Sequence, residues 1–439
     1  MAETFDGRRV LVCGYGVAGR SAAAALGAAG ADVSVTTDEV EPLDRVPDGI
    51  DLVVASPGYP PTHPLLEDAA RRGVPVWGEV ELAWRLRPEG AAPWLALTGT
   101  NGKTTTVHML ESILRAAGRR AAAVGNVGEP LIDAVLAEPP YEVLAVELSS
   151  QQLHFAPSAA PAAGALLNLA PDHLNWHGSY DAYEDAKTGI WRGEVAIGNA
   201  DDARVAARLP GGAVEFTLGE PGPGQLGIQD GRLISRAFGD DALDLLGVED
   251  VRPAGAHNVA NVLAAAALAR AHGVAPEWIR IGLRNFTPDP HRNQSVLVRD
   301  GIEWVDDSKA TNPHAAAASL AAYERIVWIA GGQLKGVDVA PLVAAGAERL
   351  VGAVLLGQDR ELVRSALARH APEIPVIVVD STDDGAMTAV VRAAAQLAHP
   401  GDTVLLAPAA ASYDMFTGYG ARGDAFAEAA RALAPDVER

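Results

Sequence analysis

Residues 95–106 read L-A-L-T-G-T-N-G-K-T-T-T, an apolar run that ends in a glycine-rich loop and continues into a helix-forming stretch. Gly99 and Gly102 would let the backbone wrap so that its N–H groups face phosphate oxygens, and Lys103 would neutralise phosphate charge. The hydroxyl of Thr104 would bind Mg²⁺, and a helix over 104–117 would point its positive end at the same phosphates. Because two residues separate the glycines, the loop is a shortened phosphate loop. The stretch predicts an α/β domain that binds a nucleotide phosphate.

Strand and helix patterns alternate on both sides of this loop, so we predict an α/β fold of three domains. They are an N-terminal Rossmann-like domain over 1–90, a central phosphate-loop ATPase sheet over 91–289 and a C-terminal Rossmann-like domain over 290–439. The first contains G-Y-G-V-A-G at 14–19, whose Gly14, Gly16 and Gly19 suit a nucleotide pyrophosphate, although a tight turn without a ligand is the alternative. Stretches at 87–93 and 287–291 are predicted linkers. Apolar runs predict strands at 10–12, 33–35, 52–55, 94–97, 143–146, 165–169, 326–330, 351–356, 376–379 and 403–407, and D-G turns predict hairpins at 227–235 and 297–304.

Composition narrows the classes of function. The formal net charge of −21 argues against a nucleic-acid binder, which needs a basic face. The chain lacks a strongly apolar run of the length that a membrane span needs, so we expect no membrane segment. The single cysteine, Cys13, excludes an internal disulfide and is typical of a reducing compartment. We therefore expect a cytoplasmic globular protein.

Lysine is scarce in this chain: 4 of the 35 basic residues are lysine, which leaves 31 arginines. The lysines are Lys103, Lys187, Lys309 and Lys335, and each lies in a polar motif. A lysine ammonium is compact and can bind phosphate as a point charge, or it can lose its proton and react, whereas arginine is a wide planar fork that keeps its proton. The distribution indicates four positions whose function requires lysine and not arginine. The alternative is that a codon bias against lysine left these four at random.

Strand ends predict the metal ligands. Glu147 ends the apolar run A-V-E, where a carboxylate beside a phosphate loop would hold Mg²⁺, unless it only faces solvent. Asp172, His173 and His177 cluster after the next apolar run. Lys187 follows on a predicted helix. It is either a salt-bridged surface residue or a lysine that adds CO₂ and becomes a metal-binding carbamate, which arginine cannot do.

The helix and loops that follow carry further polar motifs. H-N-V-A-N at 257–261 puts Asn258 and Asn261 on one helical face, where they would grip a nucleotide or else cap the helix. D-D-S-K-A-T-N at 306–312, G-G-Q-L-K-G at 331–336 and A-S-Y-D-M-F at 411–416 each follow a predicted strand. Because the strand ends of an open α/β sheet share one crevice, these loops are expected to converge on one ligand. Arg292, at the second linker, would reach a phosphate.

Together these motifs resemble the Mur ligases, ATP-dependent amide-forming enzymes of peptidoglycan synthesis. The resemblance covers essentially the whole chain in order, and its carriers are T-G-T-N-G-K-T at 98–104, G-N-V-G at 125–128, E-L-S-S-Q-Q-L at 147–153, D-H-L-N-W-H-G-S at 172–179, H-N-V-A-N at 257–261, P-H-R at 290–292, D-D-S-K-A-T-N at 306–312 and A-S-Y-D-M-F at 411–416. It is closest to members that add D-glutamate to UDP-N-acetylmuramoyl-L-alanine through an acyl phosphate. The resemblance implies that this chain has the same D-glutamate-adding activity. It also implies a monomer without nucleic-acid or membrane partners.

The resemblance also implies a role for each motif. The residues implied to bind ATP are Gly99, Thr100, Asn101, Gly102, Lys103, Thr104, Thr105, Asn258, Asn261, Arg292, Asp307 and Lys309. Two Mg²⁺ sites are implied, one at Thr104 and Glu147 and one at His173 and a carbamylated Lys187. Contacts to the UDP-sugar substrate are implied for Asn126, Ser149 and Gln152, with the pyrophosphate at the glycine turn, and contacts to D-glutamate for Thr311, Lys335, Ser412 and Tyr419. The implied catalytic set is Lys103, His173, Lys187 and Lys309.

Some positions depart from the family pattern. Asn175 stands where aspartate is commoner, Gln333 and Leu334 interrupt G-G-x-D-K-G, and T-T-D-E at 36–39 lacks the basic residue that some relatives use at the uridine end. Two other functions stay open. One is another amide ligase of the family, adding a different amino acid or glutamating folate. The other is a protein that senses NAD(H) through the glycine turn, with Asp38, followed by Glu39, as a loose match to the expected ribose-binding acid.

Overall fold

The computed structural model describes residues 4–38, 42–288, 290–381 and 385–433. It contains three β-sheets with helices packed on them, as the α/β prediction required. The chain divides into two compact units, residues 1–287 with the first two sheets and residues 288–439 with the third. Glu39 lies outside the described residues, and so does Asp289, which belongs to the second predicted linker. Within the described ranges no helix is both long and apolar enough to cross a membrane.

The first sheet is parallel throughout, in the strand order β2-β1-β3-β4. Its elements are β1 (Arg9–Cys13), α1 (Val17–Ala28), β2 (Asp32–Thr36), β3 (Leu52–Ala55), α2 (Pro64–Arg72), β4 (Val76–Trp77) and α3 (Glu79–Leu86). The predicted strand, glycine turn and helix are confirmed. The turn is tight, because a Cβ atom on Gly19 would lie 2.0 Å from the carbonyl oxygen of Gly14. Helix and strand can approach this closely only with glycine at that position.

The second sheet has nine strands in the order β13-β12-β11-β10-β9-β8-β5-β7-β6. Strands β5 to β11 pair in parallel, and β12 and β13 add an antiparallel edge. Its elements are β5 (Trp94–Thr98), α4 (Lys103–Ala116), β6 (Ala121–Gly125), α5 (Leu131–Val135), β7 (Val143–Glu147), α6 (Ser150–His154), β8 (Ala163–Leu166), α7 (Leu174–His177), α8 (Tyr180–Thr188), β9 (Val195–Asn199), α9 (Ala203–Arg208), β10 (Val214–Phe216), β11 (Gln225–Gln229), β12 (Arg232–Ser235), β13 (Leu243–Gly247), α10 (Ala256–Ala271) and α11 (Pro276–Asn285). Because β8, β5 and β7 are neighbours, the loops that leave their carboxyl ends meet at one place.

One strand of this sheet differs from its prediction. The apolar pattern placed a strand at 165–169, but β8 covers Ala163–Leu166. After Leu166 the chain leaves the ladder, because the Leu169 N–H donates to the Asp202 carboxylate at 2.8 Å and the Leu167 carbonyl accepts from Asn199 Nδ2 at 3.0 Å. Buried leucines therefore continue beyond the strand. The hairpin at 227–235 is confirmed, with Asp230 and Gly231 at φ +50° and +72°.

The third sheet has the order β14-β15-β19-β16-β17-β18. Its elements are β14 (Gln294–Arg299), β15 (Ile302–Asp306), α12 (Pro313–Ala321), β16 (Ile326–Gly331), α13 (Ala340–Gly346), β17 (Leu350–Leu356), α14 (Arg360–His370), β18 (Val376–Val378), α15 (Ala386–Leu397), β19 (Thr403–Leu406) and α16 (Tyr419–Arg431). The predicted hairpin and all four predicted strands are confirmed. Strands β16 to β19 have the Rossmann order, but the crevice beyond β16 and β19 is bridged by two backbone hydrogen bonds of 2.8 and 2.9 Å between Gln333 and Ala411.

Helix α3 fastens the first sheet to the second. The buried Glu79 carboxylate accepts from the Ile132 N–H at 3.1 Å, in the first turn of α5. The fully buried Glu81 accepts from the Ser158 N–H at 2.9 Å. The Arg87 guanidinium lies 3.1 Å from the centroid of the Trp84 ring, so the predicted linker at 87–93 is held in place at its start.

We expect the ionisation of Glu79 to make the stability of the protein depend on pH. Burial raises the pKa of this carboxyl from 4.5 to about 7. The folded-state pKa of Glu79 is therefore above its unfolded value. The protonated carboxyl stabilises the fold fully below about pH 4.5, and this stabilisation is lost as the pH rises through 7, because the buried carboxyl must then ionise. Glu79→Gln should raise the free energy of unfolding at pH 8 by up to about 3 kcal/mol and leave it nearly unchanged at pH 5. Thermal melts at both values test this.

The matched control for that variant is Glu89→Gln, which removes one carboxylate at an exposed position of the predicted linker. Both variants lose one negative charge, but only Glu79→Gln loses a buried one. An equal stabilisation of the two variants at pH 8 would contradict a role for burial. An equal stabilisation of Glu79→Gln at pH 5 and pH 8 would contradict a titrating group.

Candidate functional site

The phosphate loop connects β5 to α4 and is shaped by Gly102. This glycine is the N-cap of α4 with φ +83°, and a Cβ atom there would lie 2.4 Å from Asn261 Oδ1. Lys103 Nζ donates to the carbonyl oxygens of Gly99 and Thr100, each at 3.0 Å. The lysine arm is thus folded over the loop that precedes it. The next two threonines lie in the first turn of α4, with Thr104 half-buried and Thr105 buried.

Two contacts missed by sequence reasoning fix the middle of this loop. The Asn101 N–H donates to Asn168 Oδ1 at 2.8 Å, and Asn168 Nδ2 donates back to the Asn101 carbonyl at 3.0 Å. The Thr100 hydroxyl shares a hydrogen bond of 2.8 Å with the Tyr183 hydroxyl. The available signal for Asn168 was its position, a lone polar residue after a run of apolar ones. Nothing local pointed to Tyr183.

Helix α10 places Asn261 beside the loop, with Asn258 bonded to it. Asn258 and Asn261 are buried, and Asn261 Nδ2 donates to Asn258 Oδ1 at 3.2 Å. The N-cap of this helix is Gly255, so the capping alternative for the two asparagines is wrong. Because Asn261 lies directly beside Gly102, the pair stands where a ligand of the phosphate loop would pass.

Glu147, at the end of β7, has a buried oxygen without a partner. Its side chain is 1% exposed, so the solvent-facing alternative is wrong. Oε1 accepts from Asn126 Nδ2 at 2.8 Å, whereas Oε2 has no hydrogen-bond partner among the described residues. A buried carboxylate oxygen left unpaired costs free energy, and a cation would relieve that cost. The residue therefore fits a Mg²⁺ ligand.

Lys187, on α8, is buried between the phosphate loop and the end of β5. It is 2% exposed, and Nζ donates to the Gly99 carbonyl at 2.8 Å and to Thr98 Oγ1 at 3.1 Å. Burial, and then the charge of Lys103, lower the pKa of Lys187 well below its ordinary value. A neutral amine is the form that adds CO₂. The surface salt-bridge alternative is wrong, since the neighbouring Glu184 pairs instead with Arg204 and Arg208 at 3.2 and 2.6 Å.

The two histidines of D-H-L-N-W-H differ in environment. His173, the N-cap of α7 with φ +51°, has a side chain 47% exposed and its Nε2 3.7 Å from Asp172 Oδ2. His177 Nε2 instead hydrogen-bonds Ser150 Oγ at 2.9 Å, and burial lowers its pKa to about 4. In the described part of the chain no three His, Cys, Asp or Glu residues gather as a metal site. Each of the two expected metals would therefore need a ligand of another kind, which is the Thr104 hydroxyl together with Glu147 in one site and a carbamate on Lys187 together with His173 in the other.

Of the residues expected to contact the UDP-sugar substrate, those of the glycine turn leave space for a ligand, whereas Ser149 and Gln152 hydrogen-bond to each other. A Cβ atom on Gly16 would meet nothing within 4 Å, so the glycine turn is open at its centre. Ser149 and Gln152 form a reciprocal capping box at the start of α6, with bonds of 2.9 and 3.2 Å. Their side chains therefore have a structural role that the sequence interpretation did not include. Asp38 lies 3.4 Å from His63 Nε2.

In the second unit Arg292 precedes β14 and Tyr419 begins α16. The other expected site residues lie on loops that follow the carboxyl ends of strands, and these are Asp307, Lys309, Thr311, Lys335 and Ser412. Lys309 Nζ stands 3.8 Å from the centroid of the Tyr419 ring, and the Thr311 N–H donates to the Lys309 carbonyl at 2.8 Å. Burial raises the pKa of Asp307 to about 6, and the charge of Arg292 opposes this rise.

The departure at Gln333 and Leu334 has a structural reason. The Leu334 side chain is 3% exposed and packs in the core of the third sheet, while its N–H donates to Asp359 Oδ2 at 2.8 Å. Lys335, next in the chain, is exposed with φ +53°. The buried leucine thus anchors a loop that presents the lysine. On the facing loop Ser412 is buried.

Two models of known protein families match the chain. The family model of the Mur ligase middle domain matches residues 97–269, and that of the Mur ligase glutamate ligase domain matches residues 291–410. A protein of Streptomyces coelicolor named UDP-N-acetylmuramoylalanine–D-glutamate ligase is 55% identical, over 99% of this chain and 100% of its own. One of the same name from Thermobifida fusca is 54% identical, over 98% and 99%.

Solved structures agree at the level of the fold. UDP-N-acetylmuramate–alanine ligase MurC from Thermotoga maritima has a TM-score of 0.59 at 18% identity, over 97% of this chain and 99% of its own. MurF ligase from Thermotoga maritima, solved in complex with ADP, has a TM-score of 0.58 at 17% identity, over 98% and 96%. Identity above one half along nearly the whole length, together with the matching domain models, shows that the chain belongs to the Mur ligase family.

Proposed function

We propose that the protein joins D-glutamate to the alanine carboxylate of UDP-N-acetylmuramoyl-L-alanine with hydrolysis of ATP to ADP and phosphate. The reaction would serve peptidoglycan precursor synthesis in the cytoplasm. The observation that carries the proposal is the burial of Lys187 beside the phosphate loop, together with a Glu147 oxygen that has no hydrogen-bond partner among the described residues. The names of relatives that are more than half identical support the choice of substrates. We expect the protein to act as a monomer.

The reaction has two bond-forming steps. The substrate carboxylate attacks the γ-phosphorus of ATP, which forms an acyl phosphate and releases ADP. The D-glutamate amine, in its neutral form, then attacks the acyl carbon. The amide C–N bond forms, the bond between the acyl carbon and the phosphate oxygen breaks, and the proton lost by the amine passes to solvent as phosphate leaves. Both steps gather negative charge at the phosphate loop, where Lys103 and the backbone N–H groups that open α4 would stabilise it.

The remaining residues have binding roles in this proposal. Thr104 and Glu147 would hold one Mg²⁺ and His173 with carbamylated Lys187 a second, and bound Mg²⁺ supplies charge neutralisation at the transferred phosphoryl group. Asn258, Asn261, Arg292, Asp307 and Lys309 would contact ATP. The UDP-sugar would contact the 14–19 turn, Asn126, Ser149 and Gln152, and D-glutamate would contact Thr311, Lys335, Ser412 and Tyr419. Carbamylation balances as R–NH₂ + CO₂ → R–NH–COO⁻ + H⁺.

Phosphate release tests the proposal. The purified protein is given ATP, Mg²⁺ and UDP-N-acetylmuramoyl-L-alanine, and then D-glutamate, L-glutamate, L-lysine or diaminopimelate as acceptor. Release with D-glutamate alone is expected. Release with another acceptor would assign a different amide ligase of the family. Release only with a folate and glutamate, or binding of NADH without binding of UDP, would overturn the proposal.

A further inference from the structure

Helix α7 carries His173 but cannot fix its own position. A helix of four residues has little stability of its own, since nucleation is costly and propagation is brief. Both flanking residues are left-handed, His173 at φ +51° and Gly178 at φ +79°, and each residue of the helix is at least partly exposed. Leu174 is 43% exposed, so one side of the helix faces solvent. The position of His173 must therefore depend on the side chains that face inward.

Trp176 is the inward contact with the first sheet. Its Nε1–H donates to the carbonyl oxygen of Pro57 at 3.0 Å, and its ring meets the Phe155 ring edge-on at 5.8 Å. The tryptophan also packs against the apolar cluster that includes Leu11 and Ala55 of the first sheet. A residue of the second segment is thus bonded to the loop that leaves β3.

The Pro57 loop also supports the glycine turn. The Ser56 N–H donates to the Cys13 carbonyl at 2.9 Å, and a Cβ atom on Gly14 would lie 2.7 Å from Ser56 Oγ. Contacts therefore run without a break from the 14–19 turn through Ser56 and Pro57 to Trp176, and along α7 to His173. Next to Trp176 in the same helix, His177 is bonded to Ser150 of α6.

We propose that Trp176 is a positioning residue that sets the separation between the glycine turn and His173, so that one extended nucleotide-sugar ligand can reach both. The inference rests on the proposed function, which puts the pyrophosphate at the turn and a Mg²⁺ at His173, and it takes this Mg²⁺ as the group that would meet the ligand's carboxylate. A ligand held at two points gains affinity only when the two subsites stand at its own spacing. The Nε1–H bond to Pro57 fixes that spacing in this chain.

Two ligands of different length test the proposal by calorimetry. UDP would reach only the turn, whereas UDP-N-acetylmuramoyl-L-alanine would reach both subsites. Trp176→Phe keeps an aromatic ring but removes the N–H donor. The matched control is Trp191→Phe, because Trp191 Nε1 also donates to a backbone carbonyl, that of Ile197 at 2.9 Å. Trp176→Phe should weaken the longer ligand about five- to tenfold and leave UDP affinity unchanged, while Trp191→Phe should leave the ratio of the two affinities unchanged.

Three results would overturn it. An equal loss for UDP and the longer ligand would mean that the first sheet itself is damaged, and no loss for either would mean that the contact sets nothing. The same selective loss in Trp191→Phe would remove any special role of Trp176. A different result would contradict the proposed function itself, namely wild-type protein that binds the longer ligand no more tightly than UDP. The inference about Trp176 would then be wrong as well.

Discussion

Lys187→Arg is expected to slow amide formation at least about a thousandfold, because arginine keeps its charge and cannot take up CO₂. Lys187 is buried between Thr98, Gly99 and the Tyr183 ring. The hydrogen bonds of its ammonium go to a hydroxyl and a carbonyl, so an arginine there would gain no carboxylate partner from them. Lys187→Met, which is neutral and of similar length, should lose activity to the same degree while it melts near the wild-type temperature. That variant separates the loss of the carbamate from a fault in packing.

The small number of lysines makes the carbamate directly observable. In ¹³C-bicarbonate the wild-type protein should give a side-chain carbamate signal in its NMR spectrum, and with 4 lysines in the chain its assignment is simple. The signal should vanish in Lys187→Arg and persist in Lys309→Arg, which serves as the matched control. Activity of Lys187→Arg within tenfold of wild type, or persistence of the carbamate signal in it, would show that Lys187 is not the modified residue.

Glu147→Gln should lower kcat/KM about a hundred- to a thousandfold and at the same time leave the protein equally or more stable. Oε1 can be replaced by the amide oxygen, which still accepts from Asn126, but the charge that would hold Mg²⁺ is lost. The ligand-free protein no longer buries a carboxylate whose Oε2 lacks a partner among the described residues, so its melting temperature should not fall.

A Mg²⁺ titration of the rate gives the second readout for Glu147. The variant should need a higher Mg²⁺ concentration for half-maximal rate than the wild type. Glu142→Gln is the control, because Glu142 comes just before the same strand and its side chain is 49% exposed. A fall in stability without a change in Mg²⁺ dependence would mean that Glu147 serves the fold and not a metal.

Local patterns were sufficient for the phosphate loop and the hairpins. The loop needs only a strand, two glycines and a helix in succession, and the 230–231 turn needs only two residues that tolerate positive φ. β6 escaped prediction because A-A-A-V-G at 121–125 has the composition of a helix, and pairing with β7 overrides that propensity. The end of β8 escaped because burial of apolar residues continues after the ladder ends.

The site was harder to predict wherever a role depends on a distant partner. That Lys187 is buried follows from packing against residues nearly 90 positions earlier, so the sequence left its surface alternative open. Tyr183 and Asn168 support the phosphate loop from comparable distances in the chain. Ser149 and Gln152 lie three residues apart, and their capping box follows a known local rule that the family resemblance obscured.

The buried carboxylates of α3 bear on how members of this family can be recombined in the laboratory. A chimera that joins residues 1–90 of this chain to the rest of a relative brings Glu79 and Glu81 against a foreign partner, which must offer backbone donors like those of Ile132 and Ser158. A partner that places them differently leaves Glu79 buried without its backbone donor and leaves Glu81 with only Arg85 of its own helix, so we expect the chimera to lose stability. A crossover between residues 287 and 288 cuts neither contact and falls between the two compact units. Exchange of acceptor preference is therefore best attempted by grafting at that junction.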